Sequence, residues 1–99
     1  MYTIRYATAA ADDLRRLSAY HRKTILAEIT KHLTQTPTVP SKQRKSLPNL
    51  VHPWEAVLPI WQLRVGTHRV FYDASETDQT VIIRAIRRKP PGKRTEEIL

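Results

Sequence analysis

The sequence has no cysteine, only two glycines and a single methionine among its 99 residues. Without cysteine there are no disulfides, thiol nucleophiles or thiolate metal sites, and a reducing cytoplasm is a compatible setting. Two glycines cannot build a glycine-rich phosphate loop. No stretch approaches the ~18 apolar residues that a membrane span needs. The opening Met1-Tyr2-Thr3-Ile4-Arg5 lacks the basic-then-apolar order of a secretory signal, so a cytoplasmic location is expected. Acidic residues are also scarce, 9 against 17 Lys plus Arg, which leaves a formal charge of +8 and a pI near 10.3. Such an excess on a chain of single-domain length points to a polyanionic partner. Hydrophobic residues make up 40%, enough for one small core under a large wetted surface.

Local patterns divide the chain into a few elements. Tyr2–Tyr6 alternates and reads as a short strand. Thr8 is placed to cap a helix through Ala9–Leu17, with Asp12 and Asp13 ahead of Arg15 and Arg16 in the order that suits the helix dipole. A second helix is predicted from Tyr20 to Thr34, its buried stripe being Ile25, Leu26, Ile29 and Leu33. Only Ser18 and Ala19 separate the two, so an antiparallel pair is expected. Residues 37–59 hold five of the seven prolines and read as irregular chain. From Ile60 the period becomes two. Ile60–Val65 and His68–Asp73 flank Gly66-Thr67, a two-residue turn with glycine first, and Thr80–Ile86 is a further strand. The expected fold is α+β, two antiparallel helices on a mainly antiparallel sheet of about four strands, in one domain spanning residues 1–99.

A two-residue turn fixes the hairpin register. Val65 then faces His68, Arg64 faces Arg69, Leu63 faces Val70, Gln62 faces Phe71 and Trp61 faces Tyr72. One face is apolar through Trp61, Leu63, Val65, Val70 and Tyr72, and the other carries Gln62, Arg64, Arg69 and Phe71. Two guanidinium groups directly across a ladder repel. An anion between them relieves that repulsion, and arginine suits bidentate phosphate contact; two solvated arginines lying over apolar neighbours are the bland alternative. Further charge lies at Arg84, Arg87, Arg88, Lys89, Lys93 and Arg94, and in the loop at Lys42, Arg44 and Lys45. Basic residues beside Phe71, Tyr72 and His68 have the composition of single-stranded nucleic-acid sites. His21, His32, His52 and His68 show no metal-ligand spacing, so neither a metal nor a cofactor is expected. Asp12 and Asp13, side by side on a helix, read as dipole partners and not as an acid/base pair. His52, next to Pro53 and Trp54, reads as a loop residue.

The order strand, helix pair, basic loop, then Trp61-Gln62-Leu63-Arg64-Val65-Gly66-Thr67-His68-Arg69-Val70-Phe71-Tyr72 resembles the RelE/ParE superfamily of bacterial toxins. The tail, Arg84–Pro91 and Thr95–Leu99, looks like a RelE-like branch. That resemblance implies the toxin of a type II toxin–antitoxin system, a ribosome-dependent mRNA endoribonuclease neutralised by a cognate antitoxin. In such enzymes the 2′-hydroxyl attacks the adjacent phosphate. The resemblance implies catalytic roles for Arg64, Arg69 and Arg88, and RNA contacts for Lys42, Arg44, Lys45, Arg84, Arg87 and Lys89. Well-known members carry two lysines where this chain has Ile60 and Gln62, and a C-terminal Tyr or His that is missing here. His68 and Tyr72 are left as proton-transfer groups, both on the predicted core face. The alternatives within the superfamily are a ParE-like inhibitor of DNA gyrase and a catalytically weak protein of the same fold.

Overall fold

Helical spacing and strand alternation both find their partners in the computed structural model, which describes residues 1–99. The elements run β1 (Thr3–Tyr6), α1 (Thr8–Arg16), α2 (Ala19–Leu33), β2 (Arg44–Leu47), β3 (Ile60–Val65), β4 (His68–Ser75) and β5 (Thr80–Arg88), followed by a 3-10 turn at Thr95–Ile98. Ser18 starts α2, its hydroxyl accepting from the His21 amide at 3.2 Å. Ile25, Ile29 and Leu33 are buried as the stripe requires. Thr8 is the first residue of α1 and not its cap; that place falls to Ala7, which offers no side-chain oxygen. At the other end of α1, Arg22 donates to the carbonyls of Leu14 and Leu17, both at 3.0 Å. It thereby satisfies acceptors that a helix C-terminus leaves open.

The sheet has five strands in the order β1-β5-β4-β3-β2, parallel at β1–β5 and antiparallel elsewhere. The additional strand, β2, lies inside the proline-rich segment read as irregular. Arg-Lys-Ser-Leu has little intrinsic strand preference, and its pairing with β3 is a tertiary effect. The hairpin register is the one the two-residue turn dictates, from Trp61–Tyr72 to Val65–His68. Gly66 takes φ 59°, a conformation that disfavours a side chain even where space is free.

Two apolar clusters sandwich the sheet. Trp61, Leu63, Val70, Tyr72, Val81, Ile83 and Ile86 pack under the helices with Ala10, Leu14, Ile25, Ile29 and Leu33. On the other face, Ile60, Phe71 and Ala85 form a smaller cluster covered by Leu47, Leu50 and Trp54 and by Ile98 and Leu99 of the tail. A bulge sets this arrangement: Phe71 pairs with Ala85 and Tyr72 with Ile83, leaving Arg84 as the extra residue of β5. No helix is long and apolar enough to cross a membrane.

Candidate functional site

The hairpin, the short edge strand and the tail meet on the sheet face away from the helices. There they enclose a groove of about 260 Å³ lined by Ser41, Lys42, Gln43, Arg44, Lys45, Gln62, Arg64, Arg69, Lys89 and Thr95. Every lining residue is polar, and none is acidic. Local hydrogen bonds fix its walls. The Ser41 hydroxyl accepts from the amides of Gln43 and Arg44, both at 3.1 Å, and the Arg64 amide donates to the Gln43 carbonyl at 2.8 Å. The Lys89 amide donates to the Thr67 carbonyl at 2.7 Å, which anchors Lys89 beside the turn. At the floor, the Thr95 hydroxyl donates to Oε1 of the buried Gln62 at 3.3 Å.

Arg64 and Arg69 stand opposite each other across the β3–β4 ladder. Nη1 of Arg69 donates to the carbonyls of Gly66 and His68, both at 2.9 Å, so the guanidinium is held without a carboxylate. Its pKa is lowered, first by burial and then by Arg64. A bound anion would reverse that second cause. Lys45 is the strand partner of Gln62 and shares its face. Lys42, Lys45, Arg64, Arg69 and Lys89 form no ion pair with any acidic residue.

Several residues expected to join this surface lie elsewhere. Arg84 turns to the buried Asp73, with Nε 2.7 Å from Oδ1 and Nη2 3.2 Å from Oδ2. Asp73 also accepts from the Val57 amide at 2.7 Å, so the pair holds the 50s loop onto the sheet. Arg87 is bound to Asp13, which accepts from the Ile86 amide at 2.9 Å as well. Asp13 is thus a clip between α1 and β5 and not a partner of the helix dipole. Arg44 touches the groove but commits its guanidinium to the Val39 carbonyl at 2.8 Å and to Nδ1 of His32 at 3.0 Å. Arg88 pairs with His68 in the ladder and is absent from the groove lining, where Lys89, one residue on, takes the place expected for it.

The two aromatic candidates for proton transfer lie in the core. Tyr72 donates to the Pro37 carbonyl at 2.5 Å, and burial raises its pKa. His68 is buried against His21, their ring centroids 5.1 Å apart. His52 stays in its loop, stacked on Trp54 at 5.7 Å. Gln62 lines the groove on the face where alternation places it, whereas Ser41, Gln43 and Thr95, which no sequence pattern singles out, arrive through tertiary packing. No group of three or more His, Asp or Glu residues is arranged to hold a metal ion.

The family model for the ParE toxin of type II toxin–antitoxin systems matches residues 4–89. Among solved structures, the chain is similar to a RelBE toxin–antitoxin complex from Mycobacterium tuberculosis, with 24% identity, TM-score 0.66 and coverage of 89% of this chain and 98% of that one. A RelE–RelB complex from Pyrococcus horikoshii gives 22% identity and TM-score 0.69 over 94% and 98% of the two chains. The isolated Escherichia coli RelE toxin gives 10% identity and TM-score 0.69 over 94% and 89%. At these identities the likeness to the solved structures is one of fold. No curated protein matches.

Proposed function

The chain belongs to the ParE toxin family of type II toxin–antitoxin systems, within the RelE/ParE superfamily, and from that premise we propose that it arrests translation by cutting mRNA on the ribosome. The observation that carries this reading is the groove, where Lys42, Lys45, Arg64, Arg69 and Lys89 converge with no carboxylate among the lining residues. An all-polar cationic groove suits a phosphodiester and offers nothing to an apolar ligand. In the reaction the 2′-oxygen loses its proton and attacks phosphorus, the bond to the 5′-oxygen breaks, and that oxygen takes up a proton. Arg64 and Arg69 neutralise the charge that grows on the phosphoryl oxygens. Gln62 replaces a family lysine, and Lys45 on the neighbouring strand brings an amine to the same face. The chain is similar to toxins solved in complex with antitoxins, and in this reading a cognate antitoxin neutralises it by covering the basic groove with an acidic or amphipathic segment.

Translation of a defined mRNA with purified ribosomes tests this, with cuts mapped by primer extension. New stops that require both ribosomes and the protein are expected. A second reading, inhibition of DNA gyrase, is favoured by the ParE character of the matching family model. Intact mRNA together with blocked gyrase supercoiling would establish that reading in place of the first.

A further inference from the structure

Beside the cationic groove lies a recess of about 420 Å³ between the segment Lys45–Leu50 and the tail residues Arg94, Thr95 and Glu96. Lys45 and Thr95 line both spaces, so the two are neighbours. Their chemistry differs sharply. The groove has no hydrophobic residue, whereas the recess presents Leu47 and Leu50. Those two leucines are packed on the Ile60, Phe71 and Ala85 cluster and are therefore held in place. Glu96 lines the same recess, and its carboxylate disfavours a second phosphate but accepts readily from N–H groups. The Asn49 amide adds donors and an acceptor at the same recess.

We propose that this recess is a nucleoside subsite, taking the base that adjoins the phosphate held between Arg64 and Arg69. The proposal rests on the phosphodiester reading above. Its ligand is single-stranded polynucleotide, because a base inside a duplex is stacked and paired and cannot be delivered sideways into a recess. The base ring lies on Leu47 and Leu50 while Asn49 and Glu96 meet its polar edge. Arg94 has an 84% exposed side chain whose one ion pair, Nε to Oε1 of Glu97 at 4.0 Å, is long and solvent-exposed and costs little to break, so its guanidinium plane can close over the ring. Phosphate binding supplies affinity without regard to sequence, and the recess adds a preference for particular bases.

Titration of the full-length protein by NMR, with a 2′-O-methyl RNA trinucleotide that cannot be cleaved, tests the assignment. The intact trinucleotide is expected to shift the amides of Lys45, Gln62, Arg64 and Arg69 together with those of Leu47, Asn49, Leu50 and Glu96. A series of trinucleotides, each lacking one base, should include one member that shifts only the first group. Asn49→Ala and Glu96→Gln, both surface changes, should weaken the intact ligand by about 3- to 10-fold and leave that member's affinity unchanged. If every abasic trinucleotide shifts both groups as the intact one does, or if the intact one leaves Leu47–Leu50 unmoved while shifting the groove, the subsite is overturned and phosphate binding stands. Absence of all shifts likewise overturns the subsite and leaves the phosphate reading to the cleavage assay on ribosomes, whereas shifts unaltered by Arg64→Ala and Arg69→Ala together overturn the phosphate reading itself.

Discussion

Four arginines in one sheet divide into two kinds. Arg84 and Arg87 each meet an aspartate, Asp73 and Asp13, and each aspartate also accepts from a backbone amide. Arg64 and Arg69 face each other across the β3–β4 ladder, and neither guanidinium forms an ion pair. The first pair ties loop and helix to the sheet, and its charge is neutralised at the point of contact. The second pair, without an ion-pair partner, projects its charge into the groove. A formal charge of +8 therefore says little about where an anion binds. The scarce acidic residues decide it by subtraction, since an arginine that finds an aspartate becomes part of the scaffold.

The largest effect expected from this contrast is on stability. Asp73→Ala strands Arg84 in a mostly buried site and leaves the Val57 amide unpaired. Removing one partner of a buried pair costs about 3–5 kcal/mol. For a domain of this size that lowers Tm by roughly 12 °C or more. Adding Arg84→Met to Asp73→Ala should recover much of the loss, because the stranded charge goes with it. A thermal melt in which Asp73→Ala costs only a few degrees would place Arg84 among the free arginines and break the division.

Arg69→Ala should behave in the opposite way. Truncation relieves repulsion from Arg64 and leaves Tm near that of the parent. Cleavage should fall by roughly 100- to 1000-fold, the equivalent of about 2.7–4 kcal/mol of transition-state stabilisation by analogy with oxyanion donors. Arg64→Ala follows more weakly, and Arg69→Lys rescues only in part because a point charge lacks the bidentate fork. mRNA cleavage on ribosomes, measured beside a melt for each variant, checks both halves. Cleavage at the parent rate by Arg69→Ala would reduce this pair to a solvated face.

Much of this was legible in the chain. The Gly66-Thr67 turn sets the register, and the register alone places Arg64 opposite Arg69 and Gln62 on their face. The helix stripe was equally plain. What escaped was whatever depends on residues far apart in sequence. Arg87 meets Asp13 across 74 positions and Arg84 meets Asp73 from a bulge, and neither periodicity nor charge counting reports such partners. Strand β2 escaped because Arg44–Leu47 carries no apolar alternation and owes its shape to β3. Arg88 and Lys89 show what a one-residue shift does: consecutive residues of extended chain point to opposite faces, so Lys89 lines the groove while Arg88, paired with His68, does not.

That last pair sharpens the comparison at smaller amplitude. Lys89→Ala removes a groove cation and should lower cleavage by about tenfold, the worth of one charge-assisted hydrogen bond. Arg88→Ala removes a charge of the same sign one residue away and should leave cleavage within about twofold, since exposed charges outside a site contribute little. Equal losses would show that total basicity matters and not placement in the groove.

The smallest effect concerns a cation that can be shed. An arginine among positive neighbours keeps its proton, whereas a histidine can release it. His68 is 7% exposed, and its pKa is lowered from 6.5 by burial first, then by His21, Arg88 and Arg69. Between that lowered value and 6.5 the unfolded chain binds more protons than the folded one, so stability rises with pH through this window. Above it both states are neutral and the contribution vanishes; below it both are protonated and the folded state carries the full penalty. Urea midpoints taken from about pH 7.5 down to pH 5 should therefore fall, before the carboxylates begin to titrate. His68→Gln should flatten that slope and leave its upper end in place. A parent midpoint that stays level over the range would mean that His68 is as well solvated folded as unfolded, and that the turn beside Arg69 is open to water.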